Sequence, residues 1–175
     1  FQVKTHALLV PEGNPKDLTA IADMCGLTIA VPIGSNQSAR VAEISEADCV
    51  GAGEPAIVLA EYQGAAAATQ ALRAGTVDAW LDVENSVNAT VTADPDVFAA
   101  VPVPTDEMPT EYSGIAVSKD NPGLSEALAG ALRILVENGM YEEIYESYDV
   151  SSNLELEMIE INPVTGTPVG EMAAS

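Results

Sequence analysis

The stretch Cys25-Gly26-Leu27-Thr28-Ile29-Ala30-Val31-Pro32-Ile33-Gly34-Ser35 passes from a glycine stop, through a short apolar run, into a glycine–serine corner. An uninterrupted apolar run of this length, rich in β-branched residues, predicts a buried strand over Leu27–Val31. Gly34-Ser35 then opens a helix running to about Asp48, with Ser35 or Asn36 as its cap. Working outward, the same alternation recurs. Ala56–Glu61 reads as a strand, Ala65–Ala74 as an alanine-rich helix closed by Gly75, and Val77–Leu81 as a strand with Trp80 in the core. Asn85–Thr92 reads as a helix, Asp94-Pro95-Asp96 as a turn, and Phe98–Val103 as a strand whose Pro102, followed by Pro104, suits a sheet edge.

Upstream, Ala7–Val10 is a strand ended by Pro11. Asp17–Met24 is a short helix with Leu18, Ile21 and Met24 on one face, stopped by Gly26. Downstream, 104–109 is a connector, Ser113–Val117 a returning strand, and Leu124–Glu137 a helix presenting Leu128, Leu132 and Leu135. Asn138-Gly139 breaks it from a last helix, Met140–Tyr148, whose Tyr141, Tyr145 and Tyr148 share a face. Periodicity fades from Ser151. Strands alternating with helices define an α/β chain with an open, mainly parallel sheet flanked by helices, plus a C-terminal helix pair.

Composition narrows the function. Six Lys and Arg face 27 Asp and Glu, a net charge of −21. Such a field repels phosphate backbones and anionic lipid, so nucleic acid is excluded as a partner. No run reaches the roughly 18 apolar residues of a membrane span. Phe1 to His6 lack a signal-peptide layout, so the chain is expected to be soluble, with any export signal or anchor removed or not included. Cys25 and Cys49 form no metal-binding pattern with the single His6, and no cofactor or metal is expected. A Cys–His catalytic pair from these residues has no support in the spacing. If bonded, the cysteines close a loop of about 25 residues, worth roughly 3 kcal/mol.

Four stretches in this order resemble the family 3 bacterial extracellular solute-binding proteins, the polar amino-acid receptors of ABC importers with the type II periplasmic binding fold. They are Leu8-Leu9-Val10-Pro11-Glu12-Gly13-Asn14-Pro15, then Cys25-Gly26-Leu27-Thr28-Ile29-Ala30-Val31 through Gly34-Ser35, then Ala71-Leu72-Arg73-Ala74-Gly75-Thr76-Val77-Asp78-Ala79, and lastly Gly114-Ile115-Ala116-Val117-Ser118-Lys119-Asp120 with the helices after it. The resemblance covers Ala7 to Val150. It implies a second, ligand-binding lobe with its crossing strand over 1–110 and a returning strand and helices of the first lobe over 111–150; outside the resemblance, 151–175 reads as an extended tail. It also implies a Cys25–Cys49 disulfide, an extracytoplasmic and lipid-anchored full-length protein, a small polar amino acid as ligand and an ABC permease as partner. Most of a first lobe, with the arginine that grips the ligand carboxylate, is expected to be missing. None of Arg40, Arg73 and Arg133 stands in that place, so the chain alone is expected to bind amino acids weakly or not at all.

The resemblance assigns ligand contacts to Gly34, Ser35, Asn36 and Gln37, where a strand end meets a helix N-terminus and backbone N–H groups favour an anion. Tyr62 and Gln63 end the neighbouring strand. An acid for the ligand ammonium belongs five residues after Asp78; Val83 stands there, with Asp82 one place early and Glu84 one late. Asp78 itself reads as a turn residue. No catalytic residue is assigned. An arogenate- or cyclohexadienyl-type dehydratase on this scaffold would have to use Asp82, Glu84 or Glu111, without a histidine partner. A cytoplasmic regulator's effector domain and a ligand-free surface domain are further alternatives. With the first lobe absent, the C-terminal helices are expected to expose apolar faces and self-associate.

Overall fold

The computed structural model describes residues 2–147 and Ile159. The chain divides into two compact units, Lys4–Glu111 and a second made of Phe1–Val3 with Tyr112–Ser175.

The Lys4–Glu111 unit is a five-stranded sheet. Its strands are β2 (His6–Pro11), β3 (Thr28–Pro32), β4 (Val58–Tyr62), β5 (Ala79–Val83) and β6 (Phe98–Pro102), in the order β4-β3-β5-β2-β6. β3 runs parallel to β4 and β5, while β2 runs antiparallel to both its neighbours β5 and β6. Four strands therefore point one way and β2 the other. The sheet is mixed, with two parallel and two antiparallel ladders, and four of its five strands share one direction, as the alternation of elements predicts. β6 is an edge strand, where Pro102 costs no ladder hydrogen bond on its open side.

Three helices cover the sheet: α1 (Asn36–Ile44), α2 (Ala65–Arg73) and α3 (Glu84–Ala93). Strand alternation splits the core into two layers. Leu8, Val10, Ile29, Val31 and Leu81 pack with Val41 and Ile44 of α1 and with Leu18, Ile21 and Met24. Ala7, Leu9, Ala30 and Trp80 pack on the other face with Ala68 and Leu72 of α2 and Val87 of α3. Trp80 is a core residue, as expected. Asp78 is structural: its carboxylate accepts the Thr28 N–H at 2.8 Å, and Lys16 pairs with it at 3.2 Å.

Two elements are shorter than the sequence predicts. The expected helix Asp17–Met24 is a single 3-10 turn, Ile21–Met24. The Asn14 amide clamps Leu18 through both its N–H and its carbonyl, Asp17 takes φ 50°, and Asp23 receives the N–H groups of Thr19 and Ala20. Local side-chain bonds therefore hold 14–20 as a loop. The helix expected to reach Asp48 is α-helical only to Ile44, then opens into a π turn, Ser45–Val50. This turn carries Cys49, which is bonded to Cys25 with a Cα separation of 5.5 Å.

In the second unit the predicted strand Ser113–Val117 is replaced by β7 (Glu111–Ser113), paired with β1 (Gln2–Lys4). β1 is three residues long, and among the described residues no other strand pairs with β7. Helices α4 (Pro122–Glu137) and α5 (Met140–Glu146) follow. The Arg133 guanidinium donates to the carbonyl of Ile159 at 2.7 Å, and Tyr141 stacks on Tyr145 with ring centroids 4.5 Å apart. Tyr148 and the expected tail, apart from Ile159, lie outside the described residues.

Candidate functional site

Because β3, β4 and β5 are parallel, their carboxyl ends lie along one edge of the sheet. The chain leaves β3 into α1 on one face and leaves β5 into α3 on the other. Adjacent strands whose connections depart to opposite faces define a topological switch point, the place where open α/β sheets form a crevice. Here it lies between the corner Gly34–Gln37 and the tip Asp82–Glu84. Tyr62 and Gln63 end β4 on the far side of β3, and Pro32 pairs in register with Tyr62. All eight sequence-assigned residues thus stand at this edge.

At the β3–α1 corner Gly34 adopts φ +63°, a conformation that favours glycine. The Ser35 hydroxyl accepts the Ser38 N–H at 3.2 Å and its carbonyl accepts Ala39 N–H, so Ser35 caps α1. The N–H groups of Asn36 and Gln37 begin the helix and have no acceptor within it. Glu61, on β4, accepts from Gly34 N–H and from the Ser38 hydroxyl at 3.0 Å, which pins the corner to the neighbouring strand. The Gln37 side chain is buried, whereas Asn36 projects and donates its amide to Glu111 at 3.2 Å.

At the β5 tip, Asp82 follows Leu81 in an unbroken strand, opposite Ala7, while Val83 faces His6. Alternation places Asp82 on the Trp80 face and Val83 on the α1 face. Asp82 accepts the Val83 N–H at 2.7 Å, and burial pushes its carboxyl above the usual carboxylate range. Glu84 accepts a hydrogen bond from the Thr5 hydroxyl.

By sequence alone, His6 is too remote from the cysteines to share a metal site, and the candidate acids have no histidine partner. The structure corrects this. Inverted strand β2 brings its amino end to the same edge, so His6, 1% exposed, sits with Nε2 3.9 Å from Glu111 Oε1. Neither ring nitrogen has a hydrogen-bond partner among the described residues. No linear signal links residues 6 and 111; the antiparallel insertion of β2 does. Burial lowers the imidazole pKa, against the opposing pull of Glu111 and Asp82. The unfolded chain therefore takes up the proton first, so stability is full above a pH of about 6.5 and declines as pH falls below it. Asp82 acts in the opposite sense at lower pH, where its raised pKa favours the folded, protonated form. Urea midpoints at pH 7.5 and 5.5 should show a larger drop for the native protein than for His6→Leu; equal drops would contradict the assignment.

A groove between α2 and α3, lined by Ala65, Thr69, Ser86 and Thr90, carries Arg73, which is engaged with Asp94 at 2.7 Å. No group of three or more His, Cys, Asp or Glu side chains capable of holding a metal occurs among the described residues.

The architecture is that of one lobe of a type II periplasmic binding protein with C-terminal helices. No protein-family model matches the chain, and no curated protein sequence matches it. Solved structures do. The amino-acid ABC transporter substrate-binding protein AbpA of Streptococcus pneumoniae, bound to L-arginine, superposes with a TM-score of 0.71 at 19% identity, over 85% of this chain and 58% of that one. A structure from the glutathione-import study of GshT and the cystine ABC importer TcyBC of Streptococcus mutans gives 0.72 at 18%, over 89% and 63%. AncCDT-1, an ancestral amino-acid-binding protein and precursor of cyclohexadienyl dehydratase, gives 0.64 at 20%, over 84% and 58%. The chain spans less than two thirds of each of these neighbours. The fold is thus shared with several amino-acid ABC-transporter binding proteins and with a dehydratase precursor.

Proposed function

We propose that this chain carries the second lobe of the substrate-binding component of an amino-acid ABC importer, with 111–150 contributing to the first lobe. The switch point between β3 and β5 is the observation that supports this most. It brings the start of α1 and the acidic end of β5 to one edge of the sheet, an arrangement that suits a small zwitterion. In this reading the N–H groups of Asn36 and Gln37, beside Gly34 and Ser35, receive the carboxylate. Tyr62 and Gln63 flank it, and Asp82 and Glu84 supply negative potential for the ammonium. A polar amino acid captured between two lobes stabilises the closed form over the open one, and a membrane permease reads that difference. The Cys25–Cys49 disulfide supports an extracytoplasmic setting, since such bonds persist in oxidising compartments, and a lipid anchor belongs to the same proposal.

The dehydratase alternative gains a histidine beside Glu111, but His6 is closed off from solvent and in no position to hand a proton to a substrate. A binding role without catalysis is therefore preferred. Calorimetry of the full-length protein against the twenty amino acids tests this: at least one polar amino acid should bind with a dissociation constant of roughly micromolar or below. Silence across the whole panel, or turnover of a cyclohexadienyl acid, would overturn it. Self-association through the C-terminal helices is part of the same proposal, supported by exposed Leu124, Ile134, Met140 and Ile144. A strict monomer in light scattering at high concentration would remove that part alone.

A further inference from the structure

The Lys4–Glu111 unit holds sixteen of the 27 acids and four of the six Lys and Arg. Lys16, Arg40 and Arg73 each pair with one acid, respectively Asp78, Glu43 and Asp94. Most carboxylates among the described residues therefore have no cation beside them. None of the described acids is buried, so the charge lies at the surface, within reach of dissolved salt.

The helices add to this repulsion. A helix carries partial negative charge at its C-terminal end, which favours a cation there and opposes an acid. Among the described helices only α2, ending at Arg73, has a base in its last turn; α1, α3, α4 and α5 have none. α4 instead ends on Glu137 and α5 on Glu146, and the π turn that continues α1 carries Glu46 and Asp48. On α5, Glu146 also lies three and four residues beyond Glu143 and Glu142, spacings that bring like charges together on a helix surface. Folding gathers these charges and unfolding separates them, so the compact state bears the larger self-repulsion. Salt relieves it: the screening length falls from about 10 Å in 0.1 M salt to about 3 Å in 1 M.

We propose that the folded state of this chain is salt-gated, with a dense atmosphere of monovalent cations over the acidic helix ends as part of what holds it together. Dilute salt loosens the fold and concentrated salt secures it, which suits a saline milieu. The device acts on folding and does not depend on which ligand the chain takes.

Thermal unfolding of the full chain in about 0.1 M and about 2 M potassium chloride, followed by circular dichroism, tests this. The midpoint should rise by at least about 5 °C. Sodium and choline chloride should act alike, because screening depends on ionic strength rather than on the identity of the cation. The variant Glu46→Lys/Asp48→Lys/Glu137→Lys/Glu146→Lys changes four exposed acids at three helix ends. Each reversal removes two negative charges, which takes the net charge from −21 to −13. Repulsive energy scales with the square of the charge, so the variant should melt higher than the native chain in dilute salt and gain less than about half as much from added salt. The milder variant with Gln, Asn, Gln and Gln at the same four positions should fall between the two. A native midpoint that stays flat or falls with salt would overturn the proposal. So would a rise that needs one particular cation and saturates at millimolar concentration, the mark of a discrete site. An equal rise in the native chain and both variants would also overturn it, because salt would then be strengthening apolar burial alone. None of these outcomes bears on amino-acid binding, which is tested separately.

Discussion

Replacing Trp80 with alanine is expected to cost the Lys4–Glu111 unit about 3–5 kcal/mol, a large share of the total stability of a domain this size. Trp80 is 1% exposed at the centre of β5, paired with Leu9 on one side and Ala30 on the other. Its buried cluster includes Ala7, Ala30, Ala68 and Ala71. Alanine has no side-chain torsion with which to swing into a vacated space, so the cavity should stay open rather than collapse. The same strand carries Asp82 to the switch point, and on the proposed function a loosened β5 should weaken ligand capture as well. Urea unfolding followed by circular dichroism measures the effect. A loss below about 1 kcal/mol would mean that the site repacks in a way this arrangement does not allow.

Breaking the Cys25–Cys49 bond should cost about 3 kcal/mol and lower the melting temperature by roughly 10 °C or more. The bond closes a 24-residue separation and ties the 3-10 turn Ile21–Met24 to the π turn that follows α1. Cys49 is fully buried in the same core layer as Ile21, Met24 and Ile44. Without the bond, that layer depends on packing alone over a segment with little regular helix. Calorimetric scans of the native protein with and without reductant, and of the Cys25→Ala/Cys49→Ala variant, report it. Superimposable scans would show that packing already fixes the loop. On the proposed function, in which the Asn36 and Gln37 N–H groups receive a carboxylate, the reduced form should also hold amino acids less tightly.

Much of the fold is legible in linear order. The apolar run Leu27–Val31 became β3, the alanine-rich Ala65–Ala74 became α2 within one residue, and the prolines near Phe98–Val103 marked an edge strand. Each rests on local chemistry, namely period, glycine stops and missing N–H donors. One shortfall also has a local cause. Residues 14–20 remain a loop because Asn14 and Asp23 offer the backbone side-chain partners that compete with a helix.

The candidate site divides along the same line. By itself the sequence determined which residues terminate strands and begin helices, and so placed Gly34–Gln37, Tyr62, Gln63, Asp82 and Glu84 at strand ends. Only the tertiary structure decided that these ends share one edge, that Asp82 and Val83 face opposite ways, and that His6 and Glu111 meet there. The physical reason is that strand ends are set by neighbours in the chain, whereas the edge they share is set by the direction of pairing. One inverted strand, β2, brings a residue from the start of the unit to one at its end, and no pattern within either segment encodes that meeting.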